Sequence, residues 1–190
     1  HDANAVMGRA NRFLSSRVSA LATSLPGVLD KDPSLVGKTT TTRTPMRPAI
    51  LAAAAVPFMA PGADDAFRLL VVGGSQGARV MSDIVPSAIE KLPPELLSRL
   101  ILTQQVRDED MSRVRAIYDR LKVRAELAPF FGDLPAKLAS SHLIISRSGA
   151  GTVAELGAIG RPSILVPLPG AIDQDQFANA GVLSDAGGAI

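Results

Sequence analysis

The stretch R-L-L-V-V-G-G-S-Q-G-A-R, residues 68–79, is the segment that decides the fold. Residues 68–72 form a short, largely apolar run that predicts a buried β-strand. The run ends at Gly73 and Gly74, and residues 78–91 have the spacing of a helix. A strand that passes through glycines into a helix predicts a βα unit with a tight turn.

The same alternation continues towards the C-terminus. Further strands are predicted at residues 100–103, 125–131, 142–146 and 163–167, and further helices at residues 111–124, 135–141, 149–159 and 173–183. This alternation predicts an α/β domain with a Rossmann-like parallel sheet and helices on both faces. In such sheets ligands bind outside the carboxyl ends of the strands, so the strand-to-helix turns are the candidate site.

The N-terminal part of the chain is less regular. Residues 4–14 are predicted to be helical, and residues 37–48 form a connector, since Pro45 and Pro48 do not fit the interior of an element. The alanine- and proline-rich residues 49–62 are predicted to be an exposed helical turn and loop. We expect residues 1–48 to hold the end of one domain with the connector, and residues 49–190 to form a second domain.

Composition excludes several kinds of site. The 190 residues contain no cysteine and two histidines, which excludes disulfides, thiolate metal sites and a histidine-rich metal centre. A formal net charge of +2, with six phenylalanines and one tyrosine, argues against nucleic-acid binding. The longest apolar stretch, residues 49–60, is shorter than the roughly 20 residues of a membrane-spanning helix. Because the chain starts at His1 and stops at Ile190 within the alternation, we expect it to be incomplete at both ends.

Two of the strand-to-helix turns are rich in glycine. In the first, Ser75 follows two glycines, where backbone N–H groups and a hydroxyl suit a phosphate, although a tight turn without a ligand fits equally well. In the second, Gly149, Gly151 and Ala154 fit the outline of a dinucleotide fingerprint, with Asp173 near the expected distance.

Glu155 gives the second turn another interpretation. A carboxylate beside a phosphate-binding turn can accept hydrogen bonds from both vicinal hydroxyls of a ribose. A carboxylate near a helix N-terminus also fits a favourable interaction with the helix dipole alone.

The third turn, residues 167–179, is rich in carboxylate and carboxamide groups. These are carried by Asp173, Gln174, Asp175, Gln176 and Asn179. Asp173 could be the N-cap of the next helix, with Gln176 as its capping-box partner. The run as a whole suits the recognition of sugar hydroxyls.

Five motifs, in this order, resemble the MurG family of bacterial glycosyltransferases. They are H-D-A-N-A-V-M-G-R-A-N (1–11), P-M-R-P (45–48), G-G-S-Q-G-A-R (73–79), S-R-S-G-A-G-T-V-A-E-L (146–156) and D-Q-D-Q-F-A-N-A (173–180). The resemblance runs through nearly all of the chain. It implies a GT-B fold, in which two Rossmann-like domains face each other across a cleft, with no metal or other cofactor.

The resemblance also implies a reaction. N-acetylglucosamine would pass from UDP-GlcNAc, with inversion, to the C4 hydroxyl of the N-acetylmuramoyl residue of lipid I, forming lipid II in peptidoglycan biosynthesis. The C-terminal domain would bind UDP-GlcNAc, and the N-terminal domain would bind lipid I and the cytoplasmic face of the bacterial inner membrane. The family's catalytic base lies in a glycine-rich loop before the first motif, so we expect this chain to bind the donor without turnover.

The family's donor contacts can be carried over to this chain. Phe131 would read the uracil through its backbone, Glu155 would bind the ribose, Ser75 and Arg47 the diphosphate, and Gln176 the GlcNAc hydroxyls. Asn4 would reach the donor from the N-terminal side of the cleft. The remaining expected contacts line the nucleotide and are Ala150, Gly151, Thr152, Val153 and Ala154.

The chain departs from the family at two motifs. The family's H-E-Q-N is H-D-A-N here, at residues 1–4, and its G-N-P-V-R connector is R-T-P-M-R, at residues 43–47. If the connector glycine has a positive φ, Arg43 is strained. Alternative functions are another GT-B UDP-sugar enzyme such as a UDP-GlcNAc 2-epimerase, an NAD-binding Rossmann domain based on Gly149 and Gly151, and a non-catalytic binding module.

Overall fold

The computed structural model of the chain describes residues 1–30, 32–74, 79–170 and 173–190. Its strands are β1 (Leu21–Thr23), β2 (Thr39–Thr41), β3 (Phe67–Val72), β4 (Leu100–Gln105), β5 (Arg124–Ala128), β6 (Leu143–Ser146) and β7 (Ser163–Leu165). Its helices are α1 (Arg9–Ser15), α2 (Pro33–Val36), α3 (Pro48–Ala54), α4 (Arg79–Ile89), α5 (Pro94–Arg99), α6 (Asp108–Arg120), α7 (Leu134–Ser140), α8 (Ala150–Ile159) and α9 (Asp175–Asp185).

The main sheet confirms the predicted architecture. In the described part of the chain, β3 to β7 pair in parallel in the order β5-β4-β3-β6-β7. Leu70 and Val72 of β3 pack into a core with α3, α7 and α8, whereas Leu69 and Val71 pack into a second core with α4 and α6. Because successive side chains of a strand point to opposite faces, this alternation shows that helices cover both faces.

The short strands β1 and β2 form a separate parallel pair in the N-terminal part of the chain. A small cluster of Met7, Leu29 and Leu35 packs beside them. Neither this strand pair nor the short helices α2 and α5 was predicted from the sequence. All of them have at most six residues, too few for a clear hydrophobic period.

Helix α3 corrects part of the prediction of an exposed helical turn and loop at residues 49–62, because one face of the helix is buried. Ile50 is fully buried, and Ala53 is buried with it against α7 and α8. Pro48 supplies a favourable first residue for the helix. Ile50 and Ala53 are three residues apart and therefore share one face of the helix. In an alanine-rich segment this face does not stand out from the others, so the sequence did not reveal which side is buried.

The predicted helix at residues 4–14 begins only at Arg9. The preceding backbone N–H groups bond to the buried carboxylate of Asp2, which accepts from the N–H of Asn4 at 3.0 Å and from that of Gly8 at 3.1 Å. Asn11 also donates to this carboxylate, at 3.0 Å. Side-chain acceptors therefore replace the first helical turn that the sequence pattern indicated.

Other boundaries differ by a few residues. Helix α6 starts at Asp108 instead of 111 and ends at Arg120, because Lys122 has a φ of 56° and turns the chain into β5. Strand β5 ends at Ala128 instead of 131, before Pro129, which has no N–H to donate. At the other end of the sheet, residues 188–190 hydrogen-bond alongside β7.

Arg161 ties the ends of three helices together from a nearly buried position. Its guanidinium donates to the carbonyl oxygens of Ile159 at 2.8 Å, Ala139 at 2.7 Å and Val56 at 2.8 Å. These carbonyls lie at or beyond the C-termini of α8, α7 and α3, where helices carry unpaired acceptors and partial negative charge. The buried charge is therefore stabilised by hydrogen bonds to the helix ends.

We predict that Arg161→Lys lowers the free energy of unfolding by about 2 kcal/mol, because a single ammonium nitrogen cannot reach carbonyls on three helices. Urea denaturation followed by circular dichroism measures the loss. Arg124→Lys, at an exposed arginine, is the matched control, with an expected change under about 0.5 kcal/mol. Equal stabilities for the two variants would contradict the role given to Arg161.

Candidate functional site

The candidate site lies where the order of the strands reverses. From β3 the chain builds β4 and β5 on one side of the sheet and β6 and β7 on the other. Val72 is paired with Ser146 at the carboxyl ends of β3 and β6, so the turns after these strands are neighbours. Such a reversal leaves the crevice in which parallel α/β sheets bind their ligands.

A cavity of about 380 Å³ opens at this crevice, within the usual range of about 300–1,000 Å³ for ligand pockets. It brings together five of the predicted contact residues, which are Arg47, Phe131, Gly151, Thr152 and Glu155. They come from three separate parts of the chain: the residue before α3, the loop after β5 and the first turns of α8. Sequence proximity alone does not place these three parts together.

Helix α8 divides the run 150–155 between two cavities. Gly151, Thr152 and Glu155 line the first cavity, whereas Ala150, Val153 and Ala154 line a second one of about 430 Å³ on the side of α9 and the N-terminal segment. The division follows from the helical repeat of 3.6 residues, which cannot present six consecutive residues to one ligand.

Glu155 forms an ion pair with Arg47 inside the first cavity. Nη2 of Arg47 lies 2.9 Å from Oε1 of Glu155, and the two side chains are 64% and 22% exposed. Glu155 lies beyond the first turn of α8, where the field of the helix dipole has largely faded. The dipole alone therefore does not account for a carboxylate at this position.

Ser148 and Asn179 join the second and third turns. The hydroxyl of Ser148 donates to the carbonyl of Gln176 at 2.7 Å, and Nδ2 of Asn179 donates to the carbonyl of Ser148 at 3.2 Å. Asn179 also binds the N-terminal segment: Oδ1 accepts from the N–H of Ala5 at 2.7 Å, and Nδ2 donates to Oδ1 of Asn4 at 3.0 Å. All its bonding groups are used and it is 1% exposed.

This arrangement places Asn4 against α9, and Asn4 is not among the residues that line the first cavity. Gln176 is also outside that lining, and its side-chain oxygen accepts from the N–H of Leu168 at 3.0 Å. Asn4 therefore lies against α9, and Gln176 lies against the loop after β7. Neither of these two predicted contacts lines the cavity that contains Arg47 and Glu155.

The prediction that Asp173 caps the N-terminus of α9 is wrong. The N-cap of α9 is Gln174, which has a φ of 48° and makes no side-chain capping bond. Asp173 instead pairs with Arg9 of α1, at 3.4 Å. A long-range ion pair has replaced the local bond that the capping-box spacing suggested.

Two further positions bear on the sequence predictions. Ser75 lies outside the described residues. Arg43 has a φ of 64°, so the condition stated for this position of the connector is met and a non-glycine residue is strained there.

Gln105 is a site residue that the sequence analysis missed. It lines the cavity, accepts from the N–H of Gly73 at 3.0 Å and donates to the carbonyl of Pro129 at 3.0 Å. The side chain thereby ties the glycine turn after β3 to the end of β5. The sequence feature that could have indicated Gln105 is the pair of glutamines at the carboxyl end of an apolar strand, because a buried polar side chain there needs hydrogen-bond partners.

Acid–base groups are scarce in the cavity. Glu155 is the one acid among its described lining residues, and these include no histidine. His142 precedes β6 at the opposite end of the sheet, where burial and the charge of Arg68 lower its pKa. In the described ranges, no three histidine or acidic side chains are grouped to hold a metal ion, and no helix is long and apolar enough to cross a bilayer.

Comparisons with known proteins agree with this geometry. Residues 68–190 match the family described as "Glycosyltransferase family 28 C-terminal domain". The whole chain aligns with a protein from Nitrobacter hamburgensis at 81% sequence identity, covering 51% of that protein, and with one from Nitrobacter winogradskyi at 82% identity, covering 52% of it. Both are named "UDP-N-acetylglucosamine--N-acetylmuramyl-(pentapeptide) pyrophosphoryl-undecaprenol N-acetylglucosamine transferase". The chain thus spans about half the length of these curated relatives.

A solved structure agrees as well. The crystal structure of Acinetobacter baumannii MurG superimposes with a TM-score of 0.78 at 28% identity, over 98% of this chain and 50% of that one. The similarity includes both the main sheet and the N-terminal segment.

We predict that Asn179→Asp destabilises the chain by about 2 kcal/mol or more, because a carboxylate cannot donate to Asn4 and Ser148 and would face their oxygens. Chemical denaturation at neutral pH measures the change. Asn4→Asp is the control, since it keeps the acceptor that Asn179 uses and should cost clearly less. A larger loss for Asn4→Asp would contradict the central role of Asn179.

Proposed function

Since this chain belongs to glycosyltransferase family 28, we propose that it is the donor-binding part of an inverting transferase that moves N-acetylglucosamine from UDP-GlcNAc to lipid I, forming lipid II. The observation that carries the proposal is the cavity at the strand reversal, in which an arginine and a glutamate meet beside the N-terminus of α8. The names of the relatives supply the donor and the acceptor.

The donor is proposed to lie across the carboxyl ends of β3, β5 and β6. The backbone of Phe131 would read the uracil, and Glu155 would accept hydrogen bonds from the ribose hydroxyls. Arg47 and Ser75 would hold the diphosphate, whose negative charge suits a guanidinium fork and free backbone N–H groups. Gln176 would then reach the sugar.

The other predicted contacts complete this arrangement. Gly151 and Thr152 line the same cavity as Glu155. Ala150, Val153 and Ala154 form the opposite side of α8, and we propose that they support the nucleotide-binding turn through packing. Asn4 would act from the N-terminal segment, where Asn179 holds its side chain.

In the proposed reaction the C4 oxygen of the N-acetylmuramoyl residue attacks the anomeric carbon, and the bond from that carbon to the β-phosphate oxygen breaks. UDP leaves with the electron pair, and its charge is stabilised by Arg47 and by backbone N–H groups. The acceptor proton must pass to a general base. Glu155, the one acid described in the cavity lining, is engaged with Arg47, so the base would come from outside this cavity lining.

We also propose the division of the whole protein into domains. Residues 1–48 would belong to the acceptor domain and the connector, and residues 49–190 to the donor domain. Support comes from the separate pairing of β1 with β2 and from the packing of α3 on α7 and α8. The acceptor in the relatives' names is undecaprenol-linked, which supports work at a membrane surface. We propose that this is peripheral attachment to the cytoplasmic face of the inner membrane through the N-terminal domain.

The NAD-binding alternative has less support. It rests on Gly149 and Gly151, whereas the family match covers these residues together with nearly all of the main sheet. It also leaves the pairing of Glu155 with Arg47 unexplained.

We predict that UDP-GlcNAc at ten times its Kd stabilises the chain by about 1.4 kcal/mol, which raises the Tm by roughly 3–6 °C. Glu155→Ala should remove most of the shift, because the ribose loses its acceptor. Differential scanning fluorimetry measures both, with Glu95→Ala as an exposed-glutamate control and NADH as a ligand control. An undiminished shift in Glu155→Ala would exclude the ribose role, and a shift with NADH alone would favour the dinucleotide alternative.

We further expect the chain on its own to bind UDP-GlcNAc without consuming it, because the one acid in the described cavity lining, Glu155, is engaged with Arg47. Incubation with radiolabelled UDP-GlcNAc, with and without lipid I, followed by product chromatography, tests this. Labelled lipid II would show that a base is present within these 190 residues. Release of UDP or an epimeric sugar without lipid I would instead favour an epimerase.

A further inference from the structure

The ion pair between Arg47 and Glu155 joins two residues to which the proposed function gives separate tasks. We propose that Arg47 is also a positioning residue for ribose recognition: it orients the carboxylate of Glu155 towards the sugar ring, and the pair stays intact while a uridine nucleotide is bound. This inference rests on the proposed function and adds a role for Arg47 that is independent of the diphosphate.

The carboxylate of Glu155 has room for both partners. Oε1 takes the bond from Nη2 of Arg47 at 2.9 Å, and Oε2 has no hydrogen-bond partner among the described residues. A carboxylate offers about four acceptor positions on its two oxygens. One bond to Arg47 therefore leaves acceptors for both hydroxyls of a ribose.

The backbone of Arg47 is fixed by its place at the start of α3. Arg47 is the N-cap of α3 and stands between Met46 and Pro48, with Ile50 of the same helix fully buried against the core that contains α8. The backbone of Arg47 is thus fixed relative to the helix that carries Glu155. A guanidinium has five N–H donors, so a bond to Glu155 leaves donors for the diphosphate.

The pair has little value as a structural bond. The side chain of Arg47 is 64% exposed, and exposed ion pairs contribute little to folding stability. A substitution of Arg47 is therefore expected to leave the chain folded, so a change in ribose recognition by the variant would not be caused by unfolding. Without the guanidinium, the carboxylate would be free to rotate and would lose orientation towards the ribose.

The test compares the binding of UDP with that of 2′-deoxy-UDP by isothermal titration calorimetry. Both ligands carry the same diphosphate, so the direct contribution of Arg47 to the diphosphate cancels in the ratio of their Kd values. We expect the wild-type chain to prefer UDP by about tenfold or more, because one hydrogen bond to a charged acceptor is lost in the deoxy ligand. Arg47→Gln should reduce this preference to about threefold or less.

Three variants act as controls. Arg47→Lys keeps a cation beside Glu155 and should retain most of the preference while binding both nucleotides more weakly. Arg43→Gln makes the same change of charge in the same connector, outside the pair, and should leave the preference unchanged. In a Glu155→Gln background, Arg47→Gln should have no further effect on the preference.

The outcomes separate this inference from the proposed function. If Arg47→Gln weakens both ligands equally and keeps the wild-type preference, Arg47 acts on the diphosphate alone and the inference is wrong. A wild-type chain that binds UDP without any preference also overturns the inference, but leaves the nucleotide site intact. A wild-type chain that binds neither ligand overturns the proposed function itself.

Discussion

The parallel pairing of β3 with β6 is the constraint on which the rest of the site depends. It sets the reversal of strand order, and it brings the turn after Val72 beside the turn after Ser146. Both strands are covered by helices on both faces, so their carboxyl ends offer the open crevice. The described parts of the cavity include the residue before α3, the loop after β5 and the first turns of α8. All of them lie around the carboxyl ends of this pair of strands.

A few buried polar side chains hold the turns in place around that crevice. Gln105 ties the turn after β3 to the end of β5, and Ser148 ties the turn after β6 to α9. Asn179 extends this network to the N-terminal segment. Each of these groups is buried or nearly so, where an unmade hydrogen bond is costly. The cost of leaving these bonds unmade gives the loops a defined geometry that apolar packing alone would not impose.

The charges of the cavity suit binding more than proton transfer. A cation and a carboxylate face each other at 2.9 Å, and the backbone N–H groups at the start of α8 favour an anion. The proposed function assigns these groups to the diphosphate and the ribose diol of a nucleotide sugar. Activation of the acceptor would then require a group that the cavity lining does not supply.

Local patterns in the sequence determined the alternation of strands and helices and the glycine turns at the carboxyl ends, because each depends on the near neighbours of a residue. The resemblance of five motifs added the family and directed attention to the backbone at Arg43. The tertiary structure alone decided that Asp173 pairs with Arg9 instead of capping α9, that Ile50 is buried, and that Gln105 joins two loops. Those outcomes depend on contacts between residues far apart in the chain, whose partners become available only once the sheet has brought them together.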